Sequence, residues 1–200
     1  MREVYEKEPN EVPKRLDGSM IKLDAEKLVP HHPLFKKVSL VTVKELLVYC
    51  VLLRVKSGVS IYKEGDSSNA TTYIILFGKF LLHTAKLGPI GTASTGDTLG
   101  EEGLLDPKSR PLTTQLDYQE ETTLNPVVRR EELATAAEES FILEFTQGSM
   151  EKVKERLFKL RLQMDWFTIV NHMKHQWVQK KSWRQYRGQE LSVRGMLVKM

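Results

Sequence analysis

Two side chains in this 200-residue chain stand out for their chemistry: Glu101, following Gly96-Asp97-Thr98-Leu99-Gly100, and Arg110, nine residues on, within Ser109-Arg110-Pro111-Leu112-Thr113. A guanidinium stays ionised and offers several donors, so with free backbone N–H groups at a helix start it suits an anion. A neighbouring carboxylate accepts hydrogen bonds from a hydroxyl. Plainer readings stand beside this one. Arg110 can pair on the surface with Asp106 or Glu102, and Glu101 can serve only the dipole of a short helix. Other candidates are weaker. His172 and His175 share a helical spacing, and His31-His32 precede Pro33, but no acid or cysteine stands at an interval that completes a metal site. Cys50, among Leu46, Leu47 and Val51, reads as a small buried hydrophobe on a helix. No serine or cysteine sits in an elbow and no glycine-rich lysine loop occurs, so the expectation is a non-enzymatic protein.

The elements that must hold these residues follow from periodicity. Residues 1–30 are polar, carry Pro9, Pro13 and Pro30, and predict an extended arm. Thr42-Val43-Lys44-Glu45 has the form of a capping box opening a helix through Leu46, Leu47 and Tyr49. From Val51 the pattern changes to short branched and aromatic runs between glycines: Leu52–Val55, Val59–Tyr62, Tyr73–Phe77 and Lys79–His83. These predict strands of a sandwich or barrel, with Thr113–Leu116 and Thr122–Val128 as closing strands. A helical stretch is expected from Arg129 through Ala134. After Gly148-Ser149 a longer helix is expected, with Val153, Leu157, Leu160, Met164 and Phe167 forming one apolar stripe. The fold class is α+β, with helices at the two ends of a β unit. The expected organisation is an arm over 1–30, a domain over 31–148, and a C-terminal helix with a basic, tryptophan-containing tail over 149–200.

Three ordered stretches carry a family resemblance: Pro33-Leu34-Phe35 before a helix; Ile61-Tyr62-Lys63-Glu64-Gly65-Asp66 with Tyr73–Lys79; and the Gly96–Glu101 and Ser109–Thr113 pair. Together, over about residues 33–165, the chain resembles the cyclic nucleotide-binding domains of protein kinase A regulatory subunits, cyclic nucleotide-gated channels and bacterial catabolite activators. The resemblance implies a jelly-roll-type β-roll flanked by helices. It places the ribose on Glu101 after Gly100, the phosphate on Arg110 in a cassette reaching Thr113, and a lid over the base on the C-terminal helix. Trp166 is the candidate lid, although Met164 and Phe167 fit as core. cAMP or cGMP is the implied ligand, and no cofactor is required.

The cassette departs from the family pattern at three positions. Pro111 replaces a small residue whose N–H contacts the phosphate, and proline has no N–H. Losing such a bond costs about 1.5 to 3 kcal/mol. Glu102 replaces an apolar residue and adds negative charge where an anion must sit. Gly103 stands in place of alanine, a change expected to be sterically harmless.

Charge and composition bound the rest. The formal charge is +4, with 40% hydrophobic and 28% charged residues, which is the balance of a globular protein. The last fifty residues hold twelve Lys/Arg against four Asp/Glu, +8, which leaves −4 for the first 150. Trp177, Lys180, Lys181, Trp183, Arg184 and Arg187 interleave basic and aromatic groups there. Nucleic acid is one partner for such a tail and an acidic protein groove another. Too few residues follow Trp166 for a DNA-reading helix-turn-helix, so a protein partner is the expectation. One cysteine, no signal-like N-terminus and no long apolar run imply a reducing, cytoplasmic setting. Two functions follow. The chain is either a cAMP/cGMP sensor that signals through its C-terminal helix, or a structural adaptor fastened by its arms into a larger assembly such as a ciliary or cytoskeletal one. Pro111, Glu102 and the adhesive tail favour the adaptor, with nucleotide binding weak or lost.

Overall fold

A computed structural model of the chain describes residues 14–15, 25–105 and 128–197. Arg110, Pro111, Thr113 and the expected closing strands up to residue 127 lie outside the described residues. The chain enters through β1 (Lys14–Arg15), α1 (Ala25–Leu28), a 3-10 turn (Phe35–Lys37) and α2 (Leu40–Tyr49). It then forms β2 (Val51–Val55), β3 (Ser60–Tyr62), β4 (Thr71–Phe77), β5 (Lys79–Thr84), β6 (Gly88–Ser94) and β7 (Thr98–Leu99). A short α3 (Glu102–Leu105), β8 (Leu133–Ala136), β9 (Ser140–Thr146), α4 (Gln147–Lys159) and α5 (Gln163–Leu197) complete the order.

The strands make two antiparallel sheets, ordered β1-β2-β9-β4-β7 and β3-β8-β5-β6. Their facing sides bury Leu53, Val55, Ile75, Phe80, Leu82, Leu99 and Ile142, the core of a β-roll. A second cluster lies where the helices meet the first sheet, around Leu34, Phe35, Val43, Leu46, Val153, Leu157, Ile169 and Met173. This is the expected α+β class.

Three local expectations are corrected. Helix α2 begins at Leu40 because Ser39, not Thr42, is its cap: Ser39 Oγ accepts from the Thr42 N–H at 3.2 Å. Thr42 lies within the helix, where its hydroxyl donates to Asp165 at 2.6 Å, and Cys50 is the residue that closes α2. The stretch expected to be helical from Arg129 contains strand β8 instead. Glutamate and alanine favour helix intrinsically, but Ala134 and Ala136 alternate inward and pair with β5, and tertiary pairing wins.

The single stripe from Val153 to Phe167 is broken as well. Helix α4, opened by a Thr146–Ser149 capping box, ends at Lys159. Arg161 then takes φ +60°, and α5 starts afresh at Gln163. Val153 and Leu157 are fully buried, whereas Leu160, Met164 and Phe167 are 38%, 75% and 49% exposed. The buried face of α5 is Ile169, Met173, Gln176 and Lys180, spaced by four, three and four. Its second half is polar, and it lies against the β-roll beside β6.

Candidate functional site

The candidate site is built on the turn from β7 into α3. Gly100 takes φ +70°, and a Cβ there would lie 2.1 Å from an Arg130 guanidinium nitrogen. Only glycine meets both demands. Glu101 follows with 0% exposure, and its carboxylate accepts from the Thr98 hydroxyl. The group facing Glu101 is Lys180, reached from the middle of α5. Lys180 Nζ donates to Glu101 Oε1 at 2.8 Å, to Oε2 at 2.9 Å and to the Thr98 carbonyl at 2.6 Å. All three ammonium protons have acceptors, and the side chain is 1% exposed.

Beside this pair lies a second buried one. Glu102 accepts from Arg130 at 3.1 Å, with side-chain exposures of 3% and 2%. Burial pushes the Glu102 carboxyl up to about 7; the Arg130 guanidinium pulls it down, and Glu132 and Glu101 push it further up. Arg130 also donates to the carbonyls of Gly100 (2.9 Å) and Ser68 (2.7 Å) and to the Thr71 hydroxyl (2.6 Å). Its guanidinium sits 4.5 Å from the Tyr62 ring centroid and 5.9 Å from that of Tyr73. Tyr62 donates to Glu132 at 3.3 Å, and burial with the surrounding carboxylates holds its phenol well above the ordinary range.

One turn beyond Lys180, Arg184 pairs with both Glu131 and Glu132. Lys180, Arg130 and Arg184 thus meet Glu101, Glu102, Glu131 and Glu132 in one largely buried network. Trp183 closes its flank: a Cβ on Gly91 of β6 would come within 2.6 Å of the indole.

Of the residues expected to bind a nucleotide, Gly100 and Glu101 stand together at the cassette. Trp166 is half-buried against the helix-side cluster of Leu34 and Val153, not the roll core that Tyr62 and Leu99 share. Met164 and Phe167 are exposed, so neither has the core role expected of it. In the tail, Lys180, Trp183 and Arg184 were expected to face a partner but engage the chain's own cassette and sheet. Lys181 is exposed, its ammonium 3.7 Å from the Trp177 ring centroid, and Arg187 pairs with Glu190 on the same helix. Gly103 is not a neutral replacement for alanine: a Cβ there would lie 2.3 Å from the Thr71 carbonyl oxygen. Arg130 and Glu132 went unrecognised in the sequence; their only signal is the charge run Arg129-Arg130-Glu131-Glu132 just ahead of strand β8.

Of the remaining candidates, His31 and His175 are exposed, and His32, His172 and Cys50 serve packing. His32 donates from Nε2 to the Ile75 carbonyl at 3.0 Å and accepts at Nδ1 from the Phe35 N–H at 3.2 Å. His172 contacts the Gly96 carbonyl at 2.8 Å. Burial raises the Cys50 thiol well above its usual range, with Ser149 as a hydrogen-bond partner. Among the described residues no group of three or more His, Cys, Asp and Glu is arranged to hold a metal. Nor is any described helix long and apolar enough to cross a membrane.

No family model and no curated protein matches the sequence. Solved structures do. A cyclic nucleotide-binding domain from Methylobacillus flagellatus KT superposes with a TM-score of 0.54 at 14% identity, covering 79% of this chain and 80% of that one. A putative cyclic nucleotide-binding protein from Geobacter metallireducens GS-15 gives 0.53 at 12% identity, covering 80% and 98%. The N-terminal domain of a transcriptional regulator from Streptomyces coelicolor A3(2) gives 0.51 at 17%, covering 74% and 93%. At these identities the likeness is one of fold: the chain has a cyclic nucleotide-binding-like β-roll with flanking helices.

Proposed function

We propose that this chain is a non-enzymatic regulatory or adaptor module in which a helix of its own fills the site that a cyclic nucleotide would occupy. The observation that carries this reading is the placement of Lys180 on both oxygens of Glu101, the residue to which the family resemblance gives the ribose. A nucleotide seated there must first withdraw Lys180, leaving a buried carboxylate without its counter-charge until the ribose hydroxyl arrives. Removing one member of a buried ion pair costs about 3 to 5 kcal/mol. The one free hydroxyl of a cyclic nucleotide's ribose, accepted by that carboxylate, returns about 1.5 to 3 kcal/mol. Glu102 and Arg130 already satisfy one another beside it, and Pro111 offers no N–H to a phosphate. Nucleotide binding is accordingly weak or lost. The N-terminal arm and the outward face of α5, with Lys181 exposed and Trp177 and Arg187 half-buried at its edge, then fasten the module to a protein partner.

Glu101 itself supports a second reading, a cAMP or cGMP sensor in which ligand displaces Lys180 and frees α5 to signal. Such a switch needs the ligand to favour the open helix by several kcal/mol. Calorimetric titration with cAMP and with cGMP separates the two. The expected result is no heat up to millimolar nucleotide for the native chain, shown to be folded. Micromolar binding that disappears in Arg110→Ala overturns the adaptor reading and establishes the sensor.

A further inference from the structure

The corner where α4 gives way to α5 carries exposed apolar side chains that neither reading above uses. Phe158 near the end of α4 and Phe167 in the second turn of α5 meet edge to face, their ring centroids 6.3 Å apart. Leu160 in the connector and Met164 at the start of α5 flank them. The exposures of Phe158, Leu160, Met164 and Phe167 are 38%, 38%, 75% and 49%. Scattered apolar residues on a surface mean little, but four around one helix corner, with two rings in contact, form a patch.

The surroundings of the patch are basic. Residues 152–161 contain Lys152, Lys154, Arg156, Lys159 and Arg161 against Glu155 alone, five positive charges to one negative, +4. Two of the five face acids of this chain, Arg156 meeting Glu45 and Lys159 meeting Glu155. Lys154 leans over the Phe158 ring at 5.9 Å, and Arg161 is exposed at the apex of the corner. The nearest acid on the α5 side, Asp165, is turned inward onto the Ser39 N–H (2.8 Å) and the Thr42 hydroxyl (2.6 Å). That contact also holds the start of α5 against α2, so the two halves of the patch keep a fixed relation.

We infer that the α4–α5 corner is a docking surface for an acidic amphipathic helix of a partner protein. An apolar strip made from two helices accepts the i, i+3 and i+4 anchors of a third. Glutamates beside that strip then meet Lys154 and Arg161, and complementary charge sets the preference between partners. The surface lies away from the Lys180–Glu101 pair, and the inference stands whether or not the cassette takes a nucleotide.

The test uses the whole chain and two fluorescein-labelled helical peptides with one shared leucine stripe. The polar face of one is glutamate and that of the other lysine, and binding is read by fluorescence anisotropy. The glutamate peptide is expected to bind, about tenfold or more tighter than the lysine peptide, and to weaken as salt shortens the screening length. Met164→Ser and Phe167→Ser, separately, are expected to reduce its binding at least about tenfold, with melting temperatures close to native because both side chains are largely exposed. Lys154→Glu combined with Arg161→Glu is expected to reverse the preference between the peptides. Equal binding of both peptides, no binding of either, or binding indifferent to both serine variants overturns the inference. So does self-association that the serine variants abolish, because the corner then covers a second copy of the chain. Preferential binding to anionic lipid vesicles over the glutamate peptide overturns it too.

Discussion

Lys180 of α5 and Glu101 at the head of α3 lie 79 residues apart in sequence and form a buried ion pair with both carboxylate oxygens engaged. The pair ties the C-terminal helix to the β-roll beside the contact that Trp183 makes with the roll core. In the low dielectric of the site the attraction is strong, yet desolvation offsets much of it. Its net effect is therefore better described as positional: α5 can dock in only one register, the one that brings Arg184 to Glu131 and Glu132 and Trp183 onto Gly91.

Lys180→Met removes the ammonium and leaves Glu101 buried without a counter-charge. The expected cost is about 3 to 5 kcal/mol in urea unfolding followed by tryptophan fluorescence. Adding Glu101→Gln to Lys180→Met is expected to recover more than half of that loss, because the uncompensated charge is gone. A double variant as unstable as the single one would show that the lysine acts through packing alone.

Arg130→Lys tests the second pair. Arginine joins the Gly100 carbonyl and Glu102 on one side to the Ser68 carbonyl and Thr71 hydroxyl on the other, and lies over the Tyr62 ring. A lysine keeps the charge but cannot span both walls. The expected loss is about 2 to 3 kcal/mol, two or more hydrogen bonds' worth. Amide hydrogen exchange should quicken selectively at Gly100–Leu105, the segment the guanidinium pins. Uniform quickening across both sheets would count against this local role.

Much of the roll was legible because its residues obey one rule each. Strands β2, β4 and β5 are branched or aromatic runs between turn residues, and Glu101 follows a glycine that must take positive φ. What escaped reading depends on partners distant in sequence. A lysine amid a basic helix looks solvated, and nothing local to Lys180 signals a carboxylate 79 positions away. Arg130 and Glu132 look like a surface charge run until the segment before β8 pairs with the Gly65–Asp66 turn and both side chains are buried. Strand β8 itself has the composition of a helix and becomes a strand only by pairing with β5 and β3. The Val153–Phe167 stripe satisfied helical periodicity throughout, but Arg161 breaks the helix at φ +60° and directs its second half into solvent.

Acid should destabilise the chain through its buried histidines. Burial lowers the pKa values of His32 and His172 below the ordinary 6.5. The unfolded chain then binds more protons below pH 6.5, so their contribution is full above that pH and declines as pH falls. His32 has a specific reason: its Nδ1 accepts from the Phe35 N–H, and a proton there breaks that bond. Glu102 acts oppositely. Its carboxyl moves from 4.5 up to about 7 on folding, so its contribution is favourable at low pH and is lost as pH rises through that range. Glu102→Gln removes this counterweight while keeping an acceptor for Arg130. The native chain is expected to lose stability modestly between pH 6.5 and 5, and Glu102→Gln more steeply. Urea midpoints at the two pH values check it, and an equal or shallower dependence in the variant refutes the assignment.

Gly103→Ala and Gly148→Ala make a matched pair of opposite sign. The family resemblance expects alanine at 103, yet there a Cβ meets the Thr71 carbonyl oxygen at 2.3 Å and its amide nitrogen at 3.0 Å. Both are backbone atoms of β4, held by pairing to β9, so the helix α3 must move and not the strand. The expected destabilisation is about 1 to 3 kcal/mol. Because α3 carries Glu102 and follows Glu101, that movement should also loosen Lys180, read as a shift in the emission of Trp183. Gly148 lies in the first turn of α4 without a positive φ, and a Cβ there would meet nothing within 4 Å. Alanine there lowers the entropy of the unfolded chain and should stabilise by about 0.4 to 1 kcal/mol. If Gly103→Ala proves neutral, α3 can slide along β4 without cost, and the cassette is looser than its buried ion pairs imply.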